Sequence, residues 1–174
     1  MRALLFVLDT LIAFVVVAFL LRVLMPLVRA DFRSPIGQAV LKVTDPLVMP
    51  LRKVLPPVGR LDTASIVAVL LVQLAGTALL RLVVGYGLDP GVLLVSALRS
   101  LLHTVLQFYV VVILVYALLS WIAPNPYNPA HQLLGRLCEP LLAPVRRVVP
   151  PLGGLDLSAL VVLIALQALQ LLLF

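Results

Sequence analysis

The stretch from Asp45 to Asp62, DPLVMPLRKVLPPVGRLD, returns 94 residues later, from Glu139 to Asp156, as EPLLAPVRRVVPPLGGLD. Four prolines, a basic pair, a glycine and the final aspartate keep their register without a gap. An internal repeat is interpreted before other features because it defines the structural unit. The unit here is about half of the 174-residue chain.

The composition is that of a protein dissolved mainly in lipid. Hydrophobic residues make up 63% of the chain and charged residues 11%, against about 45–50% and about 25% in soluble domains. A water-soluble monomer of this size could not bury that much apolar surface. The net charge of +6 lies between the apolar runs, which is typical of membrane topology and contact with anionic headgroups; nucleic-acid binding is not expected.

Four apolar runs are long enough to cross a hydrocarbon core of about 30 Å, which takes about 20 helical residues. They extend from Ala3 to Met25, Ala64 to Val84, Leu101 to Ala123 and Leu157 to Phe174. The first run exceeds the roughly 7–15 apolar residues of a signal peptide, so we expect it to be a permanent span. The sequence therefore predicts an all-α integral membrane protein with four transmembrane helices.

Each repeat consists of a span, a polar loop and a span. We divide the chain into a first repeat at 1–84, a connecting segment at 85–100 and a second repeat at 101–174. Because a two-span unit returns to the side it left, both copies point the same way through the membrane. This predicts parallel repeats related by a pseudo-twofold axis along the membrane normal. The long loops, 26–63 and 124–156, then face one compartment, and both termini face the other.

The lysines and arginines predict the orientation. Ten lie in the long loops or at the end of the first span, and three lie on the opposite side. The ten are Arg22, Arg29, Arg33, Lys42, Arg52, Lys53, Arg60, Arg136, Arg146 and Arg147; the three are Arg2, Arg81 and Arg99. By the positive-inside rule, the long loops are cytoplasmic and the termini are outside.

Both long loops contain a helix start. Ser34-Pro35 and Asn128-Pro129 each combine a good N-cap residue with a proline at the first helical position. We expect short helices from Ile36 to Thr44 and from Ala130 to Cys138. These segments are too short to span, so we expect amphipathic helices at the cytoplasmic interface, with leucines and valines toward lipid and the basic pairs toward headgroups.

Prolines and glycines should end each of these loop helices. Pro46 and Pro50, like Pro140 and Pro144, lack the amide proton and are expected to break or kink any helix that continues. Tight turns are expected at Gly59 and at Gly153-Gly154. Asp62 and Asp156 would then cap the spans that follow.

The connecting segment contains a further N-cap and proline pair at Asp89-Pro90. A helix starting there could run through Arg99 into the third span. Roughly 34 residues at 1.5 Å each would exceed the bilayer by about 20 Å. The first part of such a helix either bends and lies on the outer surface or projects outward.

Polar residues inside the spans also repeat. The offset of 94 relates Asp9 to His103 and Gln73 to Gln167, and Gln107 lies one turn after His103 on the same face. Equivalent positions near a pseudo-twofold axis face each other, so each couple could form a pair, or the glutamines could bond backbone carbonyls. Two interpretations stay open. The first is structural pairing between helices; the second is a role in proton or ion movement, because ionisable groups in spans are functional candidates.

The basic pairs Arg52-Lys53 and Arg146-Arg147 are candidate binding residues. They suit anionic lipid headgroups, or a cytoplasmic or membrane protein partner or acidic ligand. Because four spans form a thin bundle with much lipid-facing surface, self-association is a further alternative. Ala64, Ala68 and Gly76 offer a small-residue face for close helix packing.

Nothing in the sequence indicates an enzyme, a metal site or a cofactor. The chain has a single cysteine, Cys138, whose place in the first repeat is taken by Thr44, so we expect it to be unreactive. His131 lacks a second metal ligand at helical spacing. No nucleophile with a base, no catalytic carboxylate pair and no metal cluster is visible.

The second repeat contains WIAPNPYNP at 121–129, followed by the repeated stretch from Glu139 onward. These segments resemble the YggT family of bacterial membrane proteins, and the duplicated form of that family covers the whole chain. The residues of this family motif are Asn125, Pro126, Asn128, Pro129, Glu139, Pro140, Pro144, Pro150, Gly153, Gly154 and Asp156. The first repeat departs from it, with ADFRSP at 30–35 and Arg60 in place of the second glycine.

The resemblance implies a protein of the bacterial cytoplasmic, or inner, membrane that contributes to osmotic-stress tolerance or envelope homeostasis. It carries no catalytic residues. We therefore predict a non-enzymatic membrane scaffold or interaction protein. The alternative is a small channel or transporter, linked to potassium or protons, with a pathway along the pseudo-twofold axis lined by Asp9, His103, Gln73 and Gln167.

Overall fold

The computed structural model describes residues 2–57, 61–122, 128–148 and 157–174, with the side chains of 121 and 122 excepted. Six α-helices account for most of these residues. They are α1 (Arg2–Leu27), α2 (Pro35–Arg52), α3 (Thr63–Val84), α4 (Pro90–Ile122), α5 (Pro129–Arg146) and α6 (Leu157–Leu173).

Three of these helices are long and apolar enough to cross a membrane: α1, α3 and residues 90–120 of α4. They confirm the all-α class and the membrane-helix character predicted from the sequence. The fourth predicted span corresponds to α6, an apolar helix of 17 residues. Its length of about 25 Å is less than the thickness of a typical hydrocarbon core.

The connecting segment forms the beginning of α4. Val92 donates its backbone N–H to the Asp89 carboxylate at 3.0 Å, which confirms the N-cap predicted there. From Pro90 the helix runs unbroken for 33 residues, a length of about 50 Å. The preceding helix, α3, ends at Val84 and is capped by Gly85, whose φ of 85° lies in the left-handed region that favours glycine.

The two loop helices begin where the N-caps predict. The Ser34 hydroxyl accepts the Gly37 amide at 3.1 Å, and the Asn128 side-chain oxygen accepts the Ala130 amide at 2.9 Å. Both helices have 18 residues, and they begin 94 positions apart. These local caps define the starts of α2 and α5 independently of the rest of the fold.

The predicted ends of the loop helices, at Thr44 and Cys138, are wrong. The helix α2 continues through Pro46 and Pro50 to Arg52, and α5 continues in the same way through its own proline pair to Arg146. In α2 the prolines remove the donors for the carbonyls of Lys42 and Pro46, and both of these positions are exposed. Because the carbonyls without donors lie on an open face, the helix can continue without burying an unsatisfied acceptor.

The same geometry holds in α5. Pro140 and Pro144 are exposed, and so is Arg136, whose carbonyl loses its i+4 donor. The opposite face of α5 is buried at Leu133, Leu137, Cys138 and Leu142. In each loop helix, therefore, the prolines lie on the open side and apolar packing holds the other side.

Close helix packing in the first half of the chain depends on small residues. Ala64 and Ala68 are fully buried on α3. A Cβ added at Gly76 would lie 2.5 Å from Ile12 Cγ2 on α1. The predicted small-residue face is thus confirmed, and α1 and α3 approach more closely than a larger side chain would allow.

The main core joins helices from both halves of the chain. It contains apolar residues from α1, α2, α4, α5 and α6. Its buried members are Leu20, Met25, Val40, Phe108, Val112, Ile113, Leu133, Leu137, Cys138, Leu142, Ala159 and Val162. A smaller cluster packs α3 against α1 and α2 through Phe19, Val48, Ala64, Ala68 and Val69.

Candidate functional site

A buried arginine links α1 to α2. Arg22 is 1% exposed, and its Nη1 donates to the Thr44 hydroxyl and to the Asp45 carboxylate, at 2.6 Å each. Our sequence interpretation counted Arg22 only as a topology charge and missed this contact. The available signal was a cation at the end of an apolar run, which needs a partner when it is buried.

A second ion pair links α2 to α3. Arg52 donates through two nitrogens to the two carboxylate oxygens of Asp62. The Asp62 carboxylate also accepts the Ser65 hydroxyl at 2.7 Å and the Ser65 amide at 3.4 Å, so its predicted capping of α3 is confirmed. Arg52, expected to face headgroups, therefore also serves as a structural partner.

The Arg52–Asp62 pair shifts the pKa of both groups. The hydrogen bond to Asp62 raises the pKa of Arg52 above its ordinary value. Burial alone would raise the pKa of Asp62, but hydrogen bonds from Arg52 and Ser65 outweigh it and leave the pKa below its ordinary value. The ionised carboxylate therefore stabilises the fold above the unfolded-state pKa, and this contribution is lost as the pH falls through the lowered one.

In the second half, the ion pair of α5 is more exposed, and the residues equivalent to Arg22 and Thr44 are less polar. Arg146 pairs with Glu139 at 3.1 Å, but the side chains are 34% and 60% exposed. Tyr116 occupies the position equivalent to Arg22, and fully buried Cys138 that of Thr44. Burial raises the pKa of the Cys138 thiol to about 12, so almost no thiolate forms at neutral pH.

The basic pairs lie at the ends of the two loop helices. Lys53 and Arg147 are exposed, while Arg52 and Arg146 are partly occupied by their carboxylate partners. Other cations from the same loops also lie exposed: Arg29, Arg33, Lys42 and Arg136. The loop side of the molecule therefore presents cations beyond the two predicted pairs.

Asp9 and His103 are not joined in the described parts of the chain, where no hydrogen bond or ion pair connects them. Both side chains are exposed on their helices. The His103 ring instead meets the Phe174 ring edge to face, with 5.1 Å between the ring centroids.

The glutamines pair differently from the prediction. Gln73 is buried, at 4% exposure, and its Nε2 donates to the Thr77 hydroxyl at 3.3 Å, whereas Gln167 is exposed. A hydrogen bond between α4 and α6 instead involves other glutamines: Gln170 Nε2 donates to Gln107 Oε1 at 3.2 Å. Sequence reasoning missed Gln170, because its counterpart at the offset of 94 is Gly76 and no repeated pair marked it.

Part of the family motif lies outside the described residues: Asn125, Pro126, Pro150, Gly153, Gly154 and Asp156. The same is true of the turn expected at Gly59 and of Arg60. Among the described motif residues, Asn128 and Pro129 start α5, and Glu139 forms an ion pair with Arg146. His131 lies beside the Tyr116 ring. Among the described residues, no group of three or more histidine, cysteine, aspartate or glutamate side chains could hold a metal ion.

Comparison with known protein families identifies the family of this chain. The family described as CCB3/YggT matches residues 1–83 and 95–174, two segments whose first residues lie 94 positions apart. The chain belongs to this family. The resemblance inferred from the proline-rich loop of the second repeat is therefore confirmed.

Two bacterial relatives match almost the whole chain, and a third relative matches about a third of it. An uncharacterized protein of Pseudomonas aeruginosa is 38% identical over 172 residues, which is 98% of this chain and 87% of the relative. The uncharacterized protein YggT of Escherichia coli is 33% identical over 170 residues, 98% of this chain and 88% of its own length. The uncharacterized protein ycf19 of Guillardia theta is 35% identical over 66 residues, 37% of this chain and 72% of its own length. No solved structure matches the chain.

Proposed function

We propose that this CCB3/YggT family member is a non-enzymatic scaffold or interaction protein of the bacterial inner membrane. Its loop helices would engage anionic lipid headgroups and a protein partner, and this contact would contribute to osmotic-stress tolerance or envelope homeostasis. The observation that carries the proposal is the set of exposed cations around α2 and α5, beside long apolar helices. Such cations attract anionic headgroups by about 1 kcal/mol each near a membrane surface.

The proposal includes four spans arranged as two parallel repeats. Equal lengths of α2 and α5, and their common offset of 94, support it. The 17-residue α6 would cross where the bilayer thins locally or where residues at its ends reach the interface. In this arrangement α2 and α5 lie in the interface, each with one buried apolar face and one open face.

The proposed orientation has the long loops in the cytoplasm and both termini outside. The ten-to-three distribution of lysine and arginine supports it. A reporter that is active only in the cytoplasm should be inactive when fused after Phe174 and active when inserted after Lys53. The reverse pattern would contradict the orientation.

The headgroup interaction can be measured on the whole protein. Reconstitution into phosphatidylcholine bilayers containing a minority of phosphatidylglycerol, followed by mild extraction, should recover phosphatidylglycerol enriched over the bulk ratio. Glutamine at Arg52, Lys53, Arg146 and Arg147 should reduce the enrichment several-fold.

Glutamine at Arg2, Arg81 and Arg99 is the matched control, because these arginines belong to the opposite side, and it should leave the enrichment unchanged. Equal enrichment for all three proteins would refute the headgroup proposal. The osmotic role is tested by growth after an osmotic upshift. Loss of the gene should slow growth, and the loop variant should restore it less well than the control variant.

A channel or transporter is the second candidate, and one observation favours it. The Oε1 atom of Gln73 is buried without a hydrogen-bond partner among the described residues, midway along α3. An unpaired amide in an apolar span is costly and is a candidate element of a polar pathway. Against this, Asp9, His103 and Gln167 lie on exposed faces, and the main core is apolar.

Ion flux distinguishes the two candidates. Liposomes containing only the purified protein should conduct neither potassium nor protons if the scaffold proposal is right. Flux that disappears with Gln73→Leu together with Gln167→Leu would favour transport instead.

A further inference from the structure

A cleft of about 280 Å³ lies where the α1–α2 connection meets the start of α5. Its walls include Asp31 and Arg33 from the first half of the chain, and Gln132 and Arg136 from the second. The cleft is therefore assembled from both halves, and neither half could form it alone. None of these residues belongs to the two basic pairs.

Two arginines carry the charge of this cleft. Arg33 is exposed and forms no ion pair in the described parts of the chain. Arg136 is also exposed, and one of its Nη atoms donates to the carbonyl of Arg29, 107 residues earlier in the chain. That bond holds the Arg136 guanidinium at the wall of the cleft, and no other described residue accepts from its remaining N–H groups.

Arg29 stands at a position that normally favours glycine. Its φ of 54° is left-handed, and it lies two residues after Leu27, the last residue of α1. The amide of Ala30 donates to the Met25 carbonyl at 2.8 Å, the pattern of a helix end at which glycine is the usual residue. A strained residue of this kind suggests a function for its side chain. The exposed Arg29 side chain lines a second depression, whose wall also contains Arg136.

The local charges favour an anion. Three arginines, Arg29, Arg33 and Arg136, line the cleft and the adjoining depression. Of the two nearby carboxylates, Glu139 is paired with Arg146, and Asp31 accepts the Arg33 backbone amide at 2.8 Å but forms no ion pair with any described residue. A guanidinium presents two parallel N–H groups at the spacing of phosphate oxygens, so two of them across a cleft suit a phosphate group. The cleft also follows directly on the end of α1, the depth at which phospholipid phosphates lie if α1 spans the membrane.

We propose that this cleft is a saturable binding site for one phosphate group, held between Arg33 and Arg136 with Arg29 adding charge. A phospholipid headgroup and a free phosphate share this chemistry. The inference rests on the proposed headgroup interaction and sharpens it, because it locates one site on residues distinct from the basic pairs. Asp31 opposes the ligand charge, so its removal should tighten binding.

The test uses the whole purified protein in a neutral detergent. It is titrated with dihexanoyl phosphatidylglycerol, with inorganic phosphate, and with dihexanoylglycerol, which lacks phosphate. Arg33→Gln together with Arg136→Gln should weaken phosphatidylglycerol binding by at least about tenfold, since each change removes a charge-assisted contact. Lys42→Gln, which removes an exposed cation outside the cleft, should leave binding unchanged. Asp31→Asn should strengthen it, a gain that misfolding cannot produce.

The outcomes separate this site from the general headgroup interaction. Wild-type affinity in the Arg33 and Arg136 variant, or an equal loss in the Lys42 variant, would overturn the site. If the four basic-pair substitutions alone abolish lipid enrichment, the headgroup proposal stands and the cleft fails. If neither set of substitutions weakens lipid binding, both the headgroup proposal and the cleft proposal fail. Saturable binding of inorganic phosphate that the double substitution removes supports the site and assigns it to a free anion. Binding of dihexanoylglycerol equal to that of phosphatidylglycerol overturns it.

Discussion

The two loop helices differ in what holds them to the long helices, although they match in length and in position within their halves. In the first half, Arg22 of α1 is buried against Thr44 and Asp45 of α2. In the second half, Tyr116 and Cys138 occupy the positions of Arg22 and Thr44. One junction is held by the ion pair of the buried Arg22 and the other by apolar contact. The helices α2 and α5 therefore share their boundaries, offset by 94, but not the side-chain chemistry that holds them.

A second contrast lies further along the same helices. In the first half, Gly76 allows α3 to pack closely against Ile12 of α1. The position equivalent to Gly76 is Gln170, which donates to Gln107 of α4. Close backbone approach in one half is thus replaced by a side-chain hydrogen bond in the other. Small residues and polar pairs are two ways of joining helices in lipid, where burial from water contributes little.

The largest effect should come from removing the buried arginine. Arg22→Tyr introduces the residue of the second half and leaves Asp45 without its partner. We expect the free energy of unfolding to fall by about 3 kcal/mol. This value is near the lower end of the cost of breaking a buried ion pair, because Asp45 is 36% exposed. The free energies of unfolding of the variant and of the unsubstituted protein are compared in mixed micelles.

The exposed pair of the second half provides the control for this prediction. Glu139→Gln removes the charge partner of Arg146 but should cost no more than about 1 kcal/mol, since the Glu139 side chain is 60% exposed. Equal losses for the two substitutions would mean that the two junctions do not differ as described.

A smaller effect is expected at the close contact between α1 and α3. Gly76→Ala places a methyl group against Ile12 and should cost about 2 kcal/mol through overpacking. The same unfolding measurement applies, and Ile12→Ala added to Gly76→Ala should recover part of the loss. Gly87→Ala is the control, because a Cβ there meets nothing within 4 Å. A neutral Gly76→Ala variant would show that the helices can separate at no cost.

The smallest effect concerns the hydrogen bond between α4 and α6. Gln107→Leu and Gln170→Leu should show a coupling energy of about 0.6 kcal/mol in a double-mutant cycle, the average for such bonds in membranes. Gln107→Leu combined with Gln167→Leu should show no coupling, because among the described residues Gln107 bonds Gln170 and not Gln167. Additive losses for Gln107 and Gln170 would exclude the bond.

The starts of the loop helices could be predicted because they depend on local chemistry. Ser34, Asn128 and Asp89 each accept an amide within three residues of themselves. The ends could not be predicted from the prolines alone. Whether a proline stops a helix depends on which face it occupies, and that face is set by packing against other helices.

The partners of polar residues in the long helices could not be predicted from the sequence for a similar reason. An offset of 94 gives equivalent positions but not the rotation of each helix about its axis. Gln73 and Gln167 are equivalent, yet one is buried and the other exposed. Arg22, whose equivalent in the second half is Tyr116, forms with Asp45 an ion pair that links α1 to α2.

The proline pairs give the loop side of the molecule a second kind of polar surface. Along the open face of α2, the carbonyls of Lys42 and Pro46 have no amide donor four residues ahead, and Arg136 and Pro140 repeat the arrangement on α5. These oxygens are hydrogen-bond acceptors set among cations. A lipid with a hydroxyl or ammonium group in its head could donate to them while its phosphate meets an arginine. If the loop side binds lipid headgroups as proposed, it would distinguish lipids of equal charge by the donors that their headgroups carry.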